Sequence, residues 1–146
     1  MWLKIDDRFS GHQKVWDLSD RAFRLHVSAM CLSAERGYDG WVPMNRLTMI
    51  VKRLPNPKLV AAELVAAGLW HETARSCEAC LEARRTNRVM DQLPRGGYMI
   101  HDFLLYNPPS WKVAAERVAR KTAGRAGGEA SAQARAVARG TASAQA

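Results

Sequence analysis

A chain of 146 residues with 47% hydrophobic and 25% charged residues is long enough for one ordinary domain with appendages and too short for two with substantial cores. Its net charge of +8 and pI near 9.9 point to an anionic partner such as nucleic acid, because Lys and Arg displace condensed counterions from phosphates. No stretch approaches the roughly 20 apolar residues of a membrane span, and MWLKIDDRF carries charge where a signal peptide needs an apolar run. A cytoplasmic protein with no membrane partner is therefore expected. Three cysteines cannot all pair, which argues against a disulfide framework and leaves thiols that are reduced or hold metal.

In chain order, His12 to Leu18 predicts a helical turn or two. Ser19-Asp20 is a helix start, with Ser19 capping free N–H groups and Asp20 favouring the positive end of the dipole. Phe23, Val27, Met30 and Cys31 then recur at helical spacing in a long, mostly buried helix stopped by Gly37, and Cys31 reads as a core residue. Asp39-Gly40 is a turn, and Trp41-Val42-Pro43 a short extended stretch. Met44 to Leu54 predicts a second helix ended by Pro55. Asn56-Pro57 starts a third over Lys58 to Ala67, with Asn56 as cap, Leu59, Val60, Leu64 and Val65 as its apolar face, and Gly68 at its end.

Leu69-Trp70-His71 and Tyr98 to Phe103 read as the two strands of a hairpin whose connection, about 73–97, is far longer than an ordinary turn. Ser110 can cap a short helix over 111–123. From Gly124 onward, Gly, Ala, Ser, Gln and Arg leave too little apolar surface to offset ordering entropy. The charge divides at the same place. Residues 1–110 carry 15 Lys/Arg against 12 Asp/Glu, and residues 111–146 carry 7 against 2.

This order of elements predicts a mainly α protein with a small β-hairpin (α+β): a winged helix-turn-helix over 1–110 with a long wing at about 73–97, a short helix over 111–123, and a basic, largely disordered C-terminal tail over 124–146. In DNA-binding proteins of this architecture the third helix enters the major groove. Here Lys58, Ala61, Ala62, Glu63 and Ala66 offer it little that hydrogen-bonds a base edge. The candidate DNA contacts are instead Arg46, Lys52, Arg53 and Lys58 around the turn and Arg84, Arg85, Arg88 and Arg95 along the wing. These suit phosphates, which position a protein without conferring sequence choice.

The segments WLKIDDRFSGHQKVWDLSDRAFRLHVSAMCLSAE, DGWVP, AAELVAAGLWH and GYMIHDFLLYNPP together resemble a pattern of actinobacterial phage and prophage helix-turn-helix proteins. These are described as replisome-organiser-like and are similar to the N-terminal winged-helix domain of primosomal initiation factors. The resemblance covers roughly residues 1–111. It implies a role in phage replication initiation through DNA binding, self-association into a homo-oligomer, or recruitment of a host helicase loader or other replisome proteins. In related primosomal proteins this domain also serves oligomerisation. A transcriptional regulator and a protein-interaction module in replisome assembly are the competing functions.

Cys77-Glu78-Ala79-Cys80 has the spacing with which two thiolates hold one Zn²⁺. His71 upstream and His101 on the presumed partner strand complete a Cys2His2 set that would close the base of the wing with a structural zinc ion. Free surface thiols and a redox pair are the alternatives. No nucleophile elbow, Gly-rich phosphate loop or paired-carboxylate site is present, so no catalytic residue is assigned and no enzymatic activity is expected.

Overall fold

Ser19 starts the longest helix of the domain by the chemistry expected of it. Its Oγ accepts the Ala22 N–H at 3.2 Å, Asp20 stands in the first turn, and helix α2 runs Asp20–Arg36 until Gly37 turns left-handed at φ 67°. The computed structural model describes residues 3–52, 54–89 and 96–143. A one-turn helix α1, Gln13–Trp16, precedes α2. The inward side of α2 is Ala22, Leu25, Ala29, Met30 and Ala34, interrupted by His26 and Ser33. Both polar residues are partnered. Ser33 Oγ accepts the Gly40 N–H at 2.7 Å, and His26 Nδ1 accepts the indole N–H of Trp70 at 2.9 Å. Cys31, expected in the core, is exposed, because it lies on the outer side of the same helix.

Strand β1, Trp41–Pro43, follows, and then a 3-10 turn over Met44–Arg46 leads into α3, Leu47–Ile50. The second helix is thus much shorter than the expected Met44 to Leu54. Helix α4 spans Pro57–Ala66, close to its expected bounds, although Asn56 takes a left-handed φ of 48° and makes no side-chain cap. Leu59, assigned to the buried side, is 70% exposed. Glu63 instead reaches back to the start of α2, accepting from Ser19 N at 2.7 Å and Ser19 Oγ at 2.8 Å.

Strands β2, Trp70–Glu72, and β3, Gly97–Ile100, pair antiparallel in the register Trp70 with Ile100 and His71 with Met99. The hairpin acquires a third strand, because β1 pairs antiparallel with the other edge of β3, giving the order β1-β3-β2. Pro43 is tolerated there because β1 is an edge. At Gly97 a side chain would stand 2.6 Å from the Val42 carbonyl oxygen, so only glycine lets the two strands approach. The protein is accordingly α+β, mainly helical with a small antiparallel sheet.

The segment between β2 and β3 holds structure that the sequence pattern did not suggest: a 3-10 turn, Thr73–Arg75, and helix α5, Glu78–Thr86. A short α6, Phe103–Tyr106, follows β3. The core gathers Leu25, Val42, Leu47, Leu64 and Trp70, each at most 1% exposed, with Tyr98, Ile100 and Phe103.

The chain divides into two units, residues 1–110 and 111–146. Ser110, the last residue of the first, is anchored by Asp39, whose carboxylate accepts from Ser110 N and Oγ, each at 2.7 Å. From there α7 runs as one helix, Ser110–Ser143, whereas the sequence pattern ends a helix at 123 and leaves 124–146 disordered. Every side chain from Ala114 to Ala136 is exposed. Among the described residues no helix is long and apolar enough to cross a membrane.

Candidate metal centre and basic surface

The hairpin register brings the two histidines together. His71 lies opposite Met99, and His101, whose N–H continues the ladder to the Leu69 carbonyl at 2.8 Å, stands two residues beyond Met99 and so on the same face. Their rings meet edge to face, with His71 Nε2 2.8 Å from His101 Nδ1.

Helix α5 delivers the thiols. Cys77 is its N-terminal flanking residue and Cys80 lies in its first turn, so the C-x2-C spacing turns both sulfurs toward one point. The helix is supported locally by Glu78 in its first turn and Arg84 and Arg85 in its last, the charge arrangement its dipole favours. Arg85 also pairs with Glu78, and with Glu82 at 2.8 Å.

Cys80 Sγ is 3.4 Å and Cys77 Sγ 3.7 Å from His101 Nδ1, and all four donor atoms lie within 4.8 Å of one another. Zinc bonds of about 2.0 Å to nitrogen and 2.3 Å to sulfur place tetrahedral donors about 3.3–3.8 Å apart. The two sulfur–nitrogen distances at His101 fall in that range, the two nitrogens at 2.8 Å are closer, and the whole set, within 4.8 Å, is near the size of a metal shell. Cys80 is buried, and His71, Cys77 and His101 are half-buried.

Burial, reinforced by neighbouring Cys77, pushes the Cys80 thiol up to about 11, so an ion that binds there displaces a proton. Burial and the nearby His101 hold the His71 imidazole below its usual value, which favours the neutral form that ligates metal. The residues His71, Cys77, Cys80 and His101 thus form a His2Cys2 cluster able to hold a metal ion, as their spacing in sequence suggested.

The expected DNA contacts are less uniform. Arg46, Lys52, Lys58 and Arg88 are exposed. Arg85 is exposed but already engaged by two glutamates. Arg84 must be withdrawn from the surface set. It is 5% exposed and donates to the Asp39 carbonyl at 3.2 Å, because its place on α5 faces the domain rather than solvent. Arg53 and Arg95 lie outside the described residues.

On α4 the exposed side chains are Lys58, Leu59, Ala62 and Ala66. Only the first carries a polar group that could reach a base.

Two carboxylates with positioning roles escape a reading of the sequence. Asp102 Oδ2 lies 3.1 Å from His101 Nε2, and Asp39 holds Ser110. The adjacent letters His-Asp are a signal for the first; nothing local marks the second, whose partner is 71 residues away. Comparisons of the chain with protein-family models, with curated proteins and with solved structures return no match.

Proposed function

We propose that the chain is a winged-helix DNA-binding protein of phage type acting in replication initiation, whose wing is pinned by a structural zinc ion and whose basic tail supplies sequence-independent affinity. The observation that carries the DNA reading is the distribution of exposed cations. Arg46, Lys52 and Lys58 surround the α3–α4 turn, and Lys112, Arg117, Arg120, Lys121, Arg125 and Arg135 line α7 in the open. The order α2, β1, α3, α4, β2, β3 and the sheet order β1-β3-β2 suit a winged helix, with β2 and β3 framing the wing. Exposed cations bind phosphates by releasing counterions, and the poverty of α4 in base-reading groups makes backbone contact the main source of affinity.

Zinc is the ion chosen because two thiolates and two imidazoles are soft and borderline donors that fill a tetrahedral shell, whereas Mg²⁺ and Ca²⁺ require oxygen. The part of α7 from Gly124 onward is read as marginally stable in the free chain and stabilised on DNA. It contains Gly124, Gly127 and Gly128, poor helix formers, and screening by phosphates relieves its self-repulsion.

The test is duplex binding across a salt series by the full chain and by a full-length variant with those six α7 cations replaced by Gln. The variant should bind more weakly, with the slope of log K against log salt shallower by about 0.9 for each phosphate no longer neutralised. An unchanged slope would remove the tail from the mechanism. Preference for phage-origin over random duplex would place reading in the domain.

A second reading is favoured by Leu59 and Met49, 70% and 65% exposed on the helices flanking the turn. Apolar side chains in the open at that place suit a protein-interaction module. Such a module forms a stable oligomer or complex and has negligible affinity for DNA.

A further inference from the structure

We infer that Asp102 is a positioning residue for the metal centre, selecting Nδ1 of His101 as the ligand atom and thereby completing a closed structural site. The inference rests on the zinc reading above and deepens it.

An imidazole can bind an ion through either nitrogen, and which one does so is set by the hydrogen bond the other makes. His101 shows a clear division of labour. Nε2 points at Asp102 Oδ2, 3.1 Å away, while Nδ1 faces His71 Nε2, Cys80 Sγ and Cys77 Sγ at 2.8, 3.4 and 3.7 Å. A carboxylate oxygen beside Nε2 favours the tautomer that carries its proton there, which leaves the Nδ1 lone pair for the cluster. His71 Nε2, 2.8 Å from that lone pair, would be the second imidazole ligand atom once its own proton stood on the other ring nitrogen.

The backbone at Asp102 shows what holds the carboxylate there. Its φ is 57°, a left-handed conformation that Asp tolerates better than most residues, at the turn between β3 and α6. That turn folds the side chain back beside the residue before it. Four protein donors leave no open coordination position, which is the pattern of structural rather than catalytic zinc.

The substitutions Asp102→Gly and Asp102→Asn separate side chain from backbone. Glycine accepts the left-handed turn and deletes the carboxylate; asparagine accepts the turn and keeps an oxygen acceptor. The full chain is stripped of metal and titrated with Zn²⁺ against a chromophoric chelator, and with Co²⁺ to read the tetrahedral d–d bands.

Wild type is expected to bind one ion per chain. Asp102→Gly should bind about 10–100-fold more weakly, with Asp102→Asn between the two and metal-free melting unchanged. Wild-type affinity in Asp102→Gly would overturn the positioning role while leaving the metal site intact. Failure of wild type to bind Zn²⁺ would instead overturn the metal reading itself.

A measurement on wild type alone decides the matter if the variants fold poorly. In the zinc-loaded chain, ring ¹⁵N–¹H correlations should show His101 protonated at Nε2 and metal-bound at Nδ1. Coordination through Nε2 overturns the inference.

Discussion

In residues 1–110, Leu25, Leu64 and Trp70 are wholly enclosed, a glutamate on α4 grips the start of α2, and residues 30 positions apart meet at the His71–His101 pair. In α7, every side chain from Ala114 to Ala136 faces solvent, and its ion pairs among the described residues, Glu116 with Arg120 and Arg125 with Glu129, lie one turn apart. The first region is held by contacts between distant parts of the chain. The ion pairs described in the second are i,i+4 pairs worth about 0.2–0.5 kcal/mol each. The first should therefore respond to anything that disturbs packing or buried charge, and the second chiefly to helix propensity, salt and a bound polyanion.

The sharpest way to break this contrast is to test the zinc ion proposed for the His2Cys2 cluster by removing it. Free zinc at 1,000 times its dissociation constant stabilises the folded state by about 4 kcal/mol, so chelation, or Cys80→Ser, should lower the domain melting temperature by about 15 °C for a domain of this size. Calorimetry with and without zinc checks this, and no zinc-dependent change in Tm would contradict it. Next comes Leu64→Ala, which empties a site that is 0% exposed. It should cost about 2–5 kcal/mol in denaturant unfolding, and a loss under about 1 kcal/mol would mean that the core collapses around the gap far more readily than a close-packed interior does.

A comparable effect of about 3 kcal/mol is expected from pH. Burial lowers His26 from 6.5 to about 4, and its Nδ1 is occupied by the Trp70 N–H, so the folded state keeps this ring neutral while the unfolded chain protonates it. Its contribution is fully present above about pH 6.5 and is lost as pH falls toward 4. Denaturant unfolding in chelator between those limits should show the decline, and a flat profile would count against it. The smallest effect concerns the second region. Replacing Gly124, Gly127 and Gly128 by Ala removes about 1 kcal/mol per residue of unfavourable helix propensity, so ellipticity at 222 nm should rise while the domain melting temperature stays where it was. A shift in that temperature would mean the two regions are not independent.

The ends of elements were the most legible features. Ser19, Gly37, Pro57 and Gly68 mark helix boundaries through their own backbone preferences, which need no distant partner. The four residues of the His2Cys2 cluster were also legible, because C-x2-C flanked by strand histidines is a chemical pattern as well as a structural one. What was missed required knowledge of neighbours. Periodicity placed Leu59 and Cys31 on apolar stripes, but nothing among the described residues covers those positions, and both are exposed. Arg84 looked like a surface cation because its sequence neighbours are charged, yet α5 turns it inward against the Asp39 carbonyl.

The sequence by itself marked the start of α2 at Ser19, its stop at Gly37 and the start of α4 at Pro57, the cationic excess in the last quarter, and two cysteines and two histidines in a pattern that could share an ion. These follow from local dihedral preferences, composition and donor chemistry. Only the tertiary structure decided that β1 joins the hairpin as a third strand, that α5 turns Arg84 against the Asp39 carbonyl, and that Asp39 anchors Ser110. Each of these is a pairing across space, and the energy that selects it depends on which surfaces arrive together, which no window of neighbouring residues contains.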